Sequence, residues 1–400
     1  MELSTPGPTV GVVGGGQLGR MLGEAAGPLG VEVVALDPTP DPPAAPVVRD
    51  TVAAGFEDAD AVEALAERAD VLTYEIELAD PELLAAASEE SDTPVHPDPE
   101  TLRTTRDKLV ETEAMAAFAG VPAYRAVASA EDVRAAGEEL GYPLMVKARR
   151  GGYDGRGNVP VEGPEDAEAA LAEATGFEPD ELPEDAAMVE ALLPFERELA
   201  VMGVRGADER AAYPVTETIH REQILRESVT PARCPAPVRE EAREVALSVL
   251  EALDGRGVFG IEMFHVEGVD PDRVTGAGEE PTVLVNEIAP RPHNSGHWTI
   301  EGADCSQFEQ HLRAVLGWPL GGTDGRAAAT ANLLGDVDEP QPATMSGVDA
   351  ILGEPSAHLH WYGKREARPL RKMGHVTVVG DDPGTTLERA GELRDATTFR

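Results

Sequence analysis

Lys147 closes a predicted strand, Leu144 to Ala148, and Arg149-Arg150-Gly151-Gly152-Tyr153-Asp154-Gly155-Arg156-Gly157-Asn158 follows at once. Three arginines and four glycines in ten residues, behind a strand-edge lysine, suit a loop that folds over a polyphosphate while the cations neutralise it. A plain surface hairpin is the alternative. Glu262, in Gly260-Ile261-Glu262-Met263-Phe264, and Glu287, in Val285-Asn286-Glu287-Ile288, each interrupt an apolar predicted strand. A carboxylate there is costly unless it is paired or metal-bound. Two that also face nucleotide phosphates make a Mg²⁺ site, and ion pairs with nearby arginines are the other reading. Arg291-Pro292-His293-Asn294-Ser295-Gly296-His297-Trp298 then supplies donors and acid-base groups, although one histidine pair at i, i+4 is a weak zinc pattern. Gly14-Gly15-Gly16-Gln17-Leu18-Gly19 fits G-x-G-x-x-G, with Asp37 about 20 residues on. A nicotinamide dinucleotide, another anionic ligand, or a tight turn without ligand all satisfy that pattern.

The elements that must position these groups follow from hydrophobic periodicity. Strands are expected at Val10 to Val13, Val31 to Leu36 and Val71 to Ile76, alternating with helices at Gln17 to Gly27 and Asp58 to Ala69, which reads as a doubly wound α/β domain. The proline-rich Asp92 to Pro99 suits a boundary, and Thr105 is read as the cap of a helix ending at Gly120 to Pro122. A mixed α+β domain is expected beyond it, with a helix at Glu131 to Leu140, strands at Met188 to Leu192 and Glu198 to Val204, a helix at Val238 to Leu253, and strands at Val258 to Val266 and Thr282 to Ile288. The acidic stretch between the last two reads as a loop. Gly321 to Gly325 then leads to a small module with strands at Ala357 to Trp361 and His375 to Val379.

Composition narrows the function classes. The chain has 400 residues, 33 bases against 74 acids and a formal net charge of -41. A polyanion of this size would repel phosphate backbones, which excludes nucleic acid as a partner. The acids are spread along the chain between apolar segments, so the excess is a solvated surface, and a salt-rich cytoplasm that screens it is the expected setting. No apolar run approaches the ~20 residues a membrane span needs. The start carries no secretory-signal pattern, and Cys234 and Cys305 are too few for a disulfide framework, both of which favour a cytoplasmic location. Lysine is nearly absent: Lys108, Lys147, Lys364 and Lys372 are all there are, so each marks a place where a compact ammonium donor is needed.

The combination of Gly14 to Arg20 (GGGQLGR), Gly151 to Gly157 (GGYDGRG), Asn286 to Trp298 (NEIAPRPHNSGHW) and His358 to His375 (HLHWYGKREARPLRKMGH) resembles the 5-(carboxyamino)imidazole ribonucleotide synthase family of ATP-grasp enzymes. The resemblance implies an N-terminal pre-ATP-grasp domain (1–104), an ATP-grasp domain (105–318) and a C-terminal module (319–400). It implies ATP and Mg²⁺ as cofactors, bicarbonate and 5-aminoimidazole ribonucleotide as substrates, and a homodimer. It surrounds ATP with Arg103, Lys147, Gly152, Tyr153, Asp154, Gly155, Arg156, Gly157, Asn158, Glu190, Ala191, Leu192, Leu193, Glu198, His220, Asn286 and Glu287. Glu262 and Glu287 stand as the metal ligands, and Ala289 stands where many ATP-grasp relatives place a third, Asn. Asp154, Arg156, Arg291, His293 and Asn294 form the implied catalytic set, with His297 a further candidate to hold bicarbonate or move a proton. Gly16, Gln17 and Leu18 border the ribonucleotide. Glu75 and Glu77, two apart and so on one strand face, adjoin its ribose, and Lys364, Arg371 and Lys372 grip its 5'-phosphate. Leu370 occupies a position where the family has Gly. The rival is a sister ligase, such as a formate-dependent glycinamide ribonucleotide transformylase, and the His297-Trp298 and His360-Trp361 motifs favour the carboxylase. A nicotinamide oxidoreductase would leave the Gly151 loop and the two glutamates unexplained.

Overall fold

Short apolar runs build a four-stranded parallel sheet from β1 (Thr9–Val13), β2 (Glu32–Asp37), β3 (Asp50–Ala53) and β4 (Val71–Tyr74), in the order β3-β2-β1-β4. Helix α1 (Gln17–Leu29) packs Leu18, Met21 and Leu22 against Val10, Val12 and Val33 on one face. Helix α2 (Ala59–Ala66), capped by Asp58, covers Val13, Val34 and Leu36 on the other. Both faces are buried, which is why these strands read as continuous apolar runs rather than alternating ones. The computed structural model describes residues 4–151, 157–178, 181–276 and 281–399.

The expected helix from Thr105 to Gly120 is two helices. Thr105 ends α3 (Pro99–Thr105) and bonds back to Thr101 O, while α4 (Lys108–Met115) starts afresh with the Asp107 carboxylate accepting from Leu109 N. Asp is the stronger N-cap here because its side chain satisfies an otherwise orphaned N–H. The third strand also stops early, at Tyr74, so Glu75 and Glu77 do not share a strand face.

A small antiparallel sheet follows, from β5 (Tyr124–Val127), β6 (Leu144–Ala148), β7 (Asn158–Val161) and β8 (Ala187–Ala191). A larger antiparallel sheet then contains β9 (Arg197–Arg205), β10 (Thr216–Arg221), β11 (Ile224–Thr230), β12 (Gly257–His265), β13 (Val283–Ala289), β14 (Ala327–Leu334), β15 (Ala357–Trp361) and β16 (Lys372–Gly380), in the order β13-β12-β9-β10-β11-β14-β16-β15. Helix α5 (Ala236–Ala252) lays Val238, Ala242, Ala246, Val249 and Leu250 on the core of this sheet. The C-terminal strands are joined to it, because β14 pairs with β11 from Glu227 to Thr230. The acidic stretch between β12 and β13, read as a loop, contributes a short strand, Val274–Gly276, that pairs with Gly120–Pro122.

Candidate functional site

Antiparallel pairing of β12 with β13 sets Glu262 directly opposite Glu287, and the register shifts just after Glu262. Helix α4 is tied to this edge through Glu111 Oε1, which accepts from Ile288 N at 2.6 Å, and to the end of β6 through Lys108 N, which donates to Arg149 O at 2.9 Å. That docking delivers Lys108 Nζ to Glu287 Oε2 at 2.5 Å. Burial pushes the Glu287 carboxyl up, but the Lys108 charge and hydrogen bond, with Lys147, outweigh it and leave it below its ordinary range. Glu262 has no such neighbour. Burial carries its carboxyl up to about 7, opposed by His220 and reinforced by Glu287 and Glu198. Across the sheet, His220 Nδ1 bonds Glu198; burial disfavours its charge, yet that bond and the Glu262 charge raise its pKa. On the facing small sheet, Lys147 Nζ reaches Glu190 Oε1 at 2.6 Å and Asn286 Oδ1 at 3.1 Å. Asn158, paired with Lys147 across β6 and β7, holds its Oδ1 buried without a partner among the described residues. Ala191 N and Leu192 N are spent on Ala123 O and Pro143 O, and Leu193 is buried in the small sheet's core.

Three arginines expected near the nucleotide are paired with carboxylates. Arg103 sits on α3, two-fifths exposed, on Glu82 and Glu100. Arg149 makes a bidentate pair with Asp107 at 2.8 Å, and Arg150 divides between Asp107 and Asp185. Gly152, Tyr153, Asp154, Gly155 and Arg156 lie outside the described residues. Lys108 is the residue that sequence reasoning left without a role, although the scarcity of lysine had marked it.

The first glycine loop is closed by its own carboxylates: Gly15 N donates to Asp37 Oδ2 at 3.0 Å and Gly16 N to Glu75 Oε1 at 2.6 Å. Asp37, the residue a dinucleotide reading needs for a ribose, is thus occupied, and its Oδ1 also accepts from Thr39 N. Glu75 leaves the end of β4, where its N still bonds Val13 O, and turns inward, whereas Glu77 pairs with Arg291. Burial lowers the Arg291 pKa to about 10 against the opposing pull of Glu75. His293, partly buried, is held well below its ordinary range by desolvation and then by Arg291, and its Nδ1 lies 2.9 Å from Ser295 Oγ and 3.7 Å from Glu262. Asn294 exchanges amide hydrogen bonds with Asn332 at 3.2 and 2.7 Å, which commits its side chain to a buried pair. The two histidines of the zinc pattern have different partners, Ser295 Oγ for His293 Nδ1 and Gln307 Nε2 for His297 Nδ1, and no group of three His, Cys, Asp or Glu able to hold a metal occurs among the described residues.

From the C-terminal strands Lys364 Nζ crosses to Gln17 Oε1 at 2.6 Å and also donates to Lys372 O at 2.7 Å. Leu18 is buried behind Gln17. Arg371 bonds Glu366 O, and its N closes a turn onto Arg368 O. Leu370 holds a φ of 60° in that turn, the conformation that favours glycine, at a cost of about 1–2 kcal/mol.

Glu75 supplies a pH test. Burial raises its carboxyl from 4.5 to about 7, so between those values the folded chain holds the proton more tightly than the unfolded one. Stability from this group therefore falls as pH rises from 4.5 to 7, by about 3 kcal/mol in all, and is flat above. Glu75→Gln keeps an acceptor for Gly16 N and removes the titration. Its denaturation midpoint should match that of the unmodified chain near pH 5 and exceed it at pH 8; parallel profiles would contradict the burial argument.

Residues 8–106 match the ribonucleotide synthetase preATP-grasp domain, 114–308 the ATP-grasp domain and 328–389 the phosphoribosylaminoimidazole carboxylase C-terminal domain. The N5-carboxyaminoimidazole ribonucleotide synthase of Brucella melitensis is 39% identical over 379 residues, spanning 94% of this chain and 97% of its own. The chain belongs to the N5-carboxyaminoimidazole ribonucleotide synthase family. Like that family it is an ATP-dependent ligase of the ATP-grasp class. The Thermotoga maritima N5-carboxyaminoimidazole ribonucleotide synthetase structure superposes with a TM-score of 0.84 at 37% identity, covering 98% of this chain and 99% of that one. The Aspergillus clavatus synthase, solved with ADP and 5-aminoimidazole ribonucleotide, does so with 0.84 at 31%, covering 98% and 99%. The chain spans 67% of the Schizosaccharomyces pombe phosphoribosylaminoimidazole carboxylase, 39% identical over 396 residues.

Proposed function

We propose that the chain uses ATP and bicarbonate to carboxylate the amine of 5-aminoimidazole ribonucleotide, giving N5-carboxyaminoimidazole ribonucleotide, ADP and phosphate in purine biosynthesis. The observation that carries this reading is the in-register Glu262 and Glu287 pair, set between Lys147 and Lys108 on one side and His220 on the other. Lys147 and Lys108 would hold the nucleotide phosphates, with Asn158 Oδ1 and Asn286 as neutral partners. Glu262, partly buried and facing a second carboxylate, fits a hard divalent cation, and with Ala289 supplying no ligand the other positions would fall to phosphate or water oxygens. Mg²⁺ there would screen charge on the phosphoryl group as bicarbonate oxygen attacks it. The resulting carboxyphosphate is short-lived in water, so the site would have to exclude solvent until the amine is carboxylated. Arg291, paired with Glu77, and neutral His293, near Glu262, would orient the bicarbonate carbon toward the ribonucleotide amine. Gln17, Lys364, Arg371 and Lys372 would hold the ribonucleotide and its phosphate.

Among the described residues no helix is long and apolar enough to cross a membrane. A salt-rich cytoplasm is the setting we assign to a chain of net charge -41. At ~1 M salt the Debye length is only about 3 Å, which quenches acidic self-repulsion that is unscreened on dilution. Circular dichroism melts should therefore shift to lower temperature as KCl falls from about 2 M to about 50 mM. Equal melting temperatures at both ends would remove the salt-adapted reading. The activity itself is tested by ADP release in complete and incomplete substrate mixtures.

A further inference from the structure

Three imidazoles stack through the junction between the central and C-terminal strands. His297 follows the turn Asn294–Gly296, His375 lies on β16 and His360 on β15; centroids are 4.8 Å apart for His297 and His375, and 4.4 Å for His360 and His375. His297 and His375 are fully buried. The outer rings are anchored. Gln307 is pinned by His293, its Oε1 accepting from His293 N at 2.9 Å and its Nε2 donating to His293 O at 2.8 Å. Its Nε2 therefore faces His297 Nδ1, at 3.2 Å, as a donor, and His297 must accept. At the other end His360 Nε2 lies 2.6 Å from Glu301 Oε1. Clamped between them, His375 presents Nδ1 to Tyr362 Oη at 2.8 Å. Tyr362 is buried as well, so this hydrogen bond lies out of reach of solvent whichever of the two groups donates it. The Tyr362 ring lies 5.6 Å from Lys364 Nζ, the group that reaches Gln17. Nothing in the reaction described above uses His375 or Tyr362.

We propose that His375 is a positioning residue: held in the stack, it fixes Tyr362 through Nδ1, and Tyr362 in turn sets the platform from which Lys364 meets the ribonucleotide phosphate. The inference rests on the reading of Lys364 as a phosphate ligand. A hydrogen bond to a ring that cannot shift fixes the tilt of a buried tyrosine, and the Tyr362 face offers Lys364 a cation-π contact in a defined place. A purely structural histidine would instead lower stability and leave the two substrates' KM values in their usual ratio.

The test uses the full chain in steady-state assays with each substrate varied. Tyr362→Phe, which deletes one oxygen, should raise KM for 5-aminoimidazole ribonucleotide about fivefold, with KM for ATP unchanged and kcat within about twofold. His375→Phe keeps the stack and should give the same pattern. The double variant should be no worse than either single one, because both remove one bond. His375→Asn, whose amide stands near the Nδ1 position, should restore most of the loss. Unchanged KM in a folded Tyr362→Phe, or effects that add in the double variant, would overturn the inference. Should His375→Phe not fold, the Tyr362→Phe result decides alone. Lys364→Met separates the two levels: if it also leaves the ribonucleotide KM unmoved, the phosphate assignment itself has failed, whereas a large Lys364 effect beside a silent Tyr362→Phe rejects only the role of His375.

Discussion

Glu287→Gln should lower turnover by a factor on the order of 10³, about 4 kcal/mol of transition-state stabilisation, and leave the fold intact. The change is nearly isosteric, and the amide oxygen can still accept from Lys108 Nζ, which lies 2.5 Å from Glu287 Oε2. What disappears is one of two negative charges facing each other across β12 and β13, so a divalent cation loses half of its protein-borne charge. The loss should fall on kcat for ADP formation, with a melting temperature close to that of the unmodified chain. Near-normal ADP formation would mean that the two glutamates serve only as partners for Lys108 and His293.

Lys364→Met should raise KM for 5-aminoimidazole ribonucleotide at least about tenfold, as expected for losing a charged hydrogen bond worth roughly 1.5–3 kcal/mol. Lys364 and Lys372 belong to a segment that also holds Arg365, Arg368 and Arg371, in a chain otherwise nearly stripped of lysine. Lys364 already spans the gap to the N-terminal domain through Gln17, so a phosphate seated there would meet both domains. Lys147 and Lys108 lie on the other side of the molecule's chemistry, at the glutamate pair, and KM for ATP should move little. A variant that weakened ATP and spared the ribonucleotide would exchange the two assignments.

Much of this arrangement was legible in the sequence because burial forces apolar runs and makes interrupting charges conspicuous. Glu262, Glu287 and Lys147 were found that way, each a charge in a strand that is otherwise apolar. Lys108 shows the limit: it falls within one expected helix beginning at Thr105, and only the Asp107 cap, which starts the helix afresh, turns it toward β13. The β10 to β11 hairpin left no turn signal, since Glu222 and Gln223 hold φ values of 53° and 61° where Asn-Gly is the usual choice. Strand β14 is half alanine, a poor strand former in isolation, and is extended because it fills the gap between β11 and β16. Asn294 looked like a ligand, but its partner Asn332 lies on β14, beyond the reach of local pattern.

The central claim is tested most directly by ADP release with ATP, bicarbonate and 5-aminoimidazole ribonucleotide supplied together and each omitted in turn, in molar KCl with Mg²⁺. Full-rate ADP release only in the complete mixture, matched by incorporation of labelled bicarbonate into the ribonucleotide, is the predicted result. ADP release that ignores bicarbonate, or a complete mixture that yields no carboxylated ribonucleotide, would contradict it.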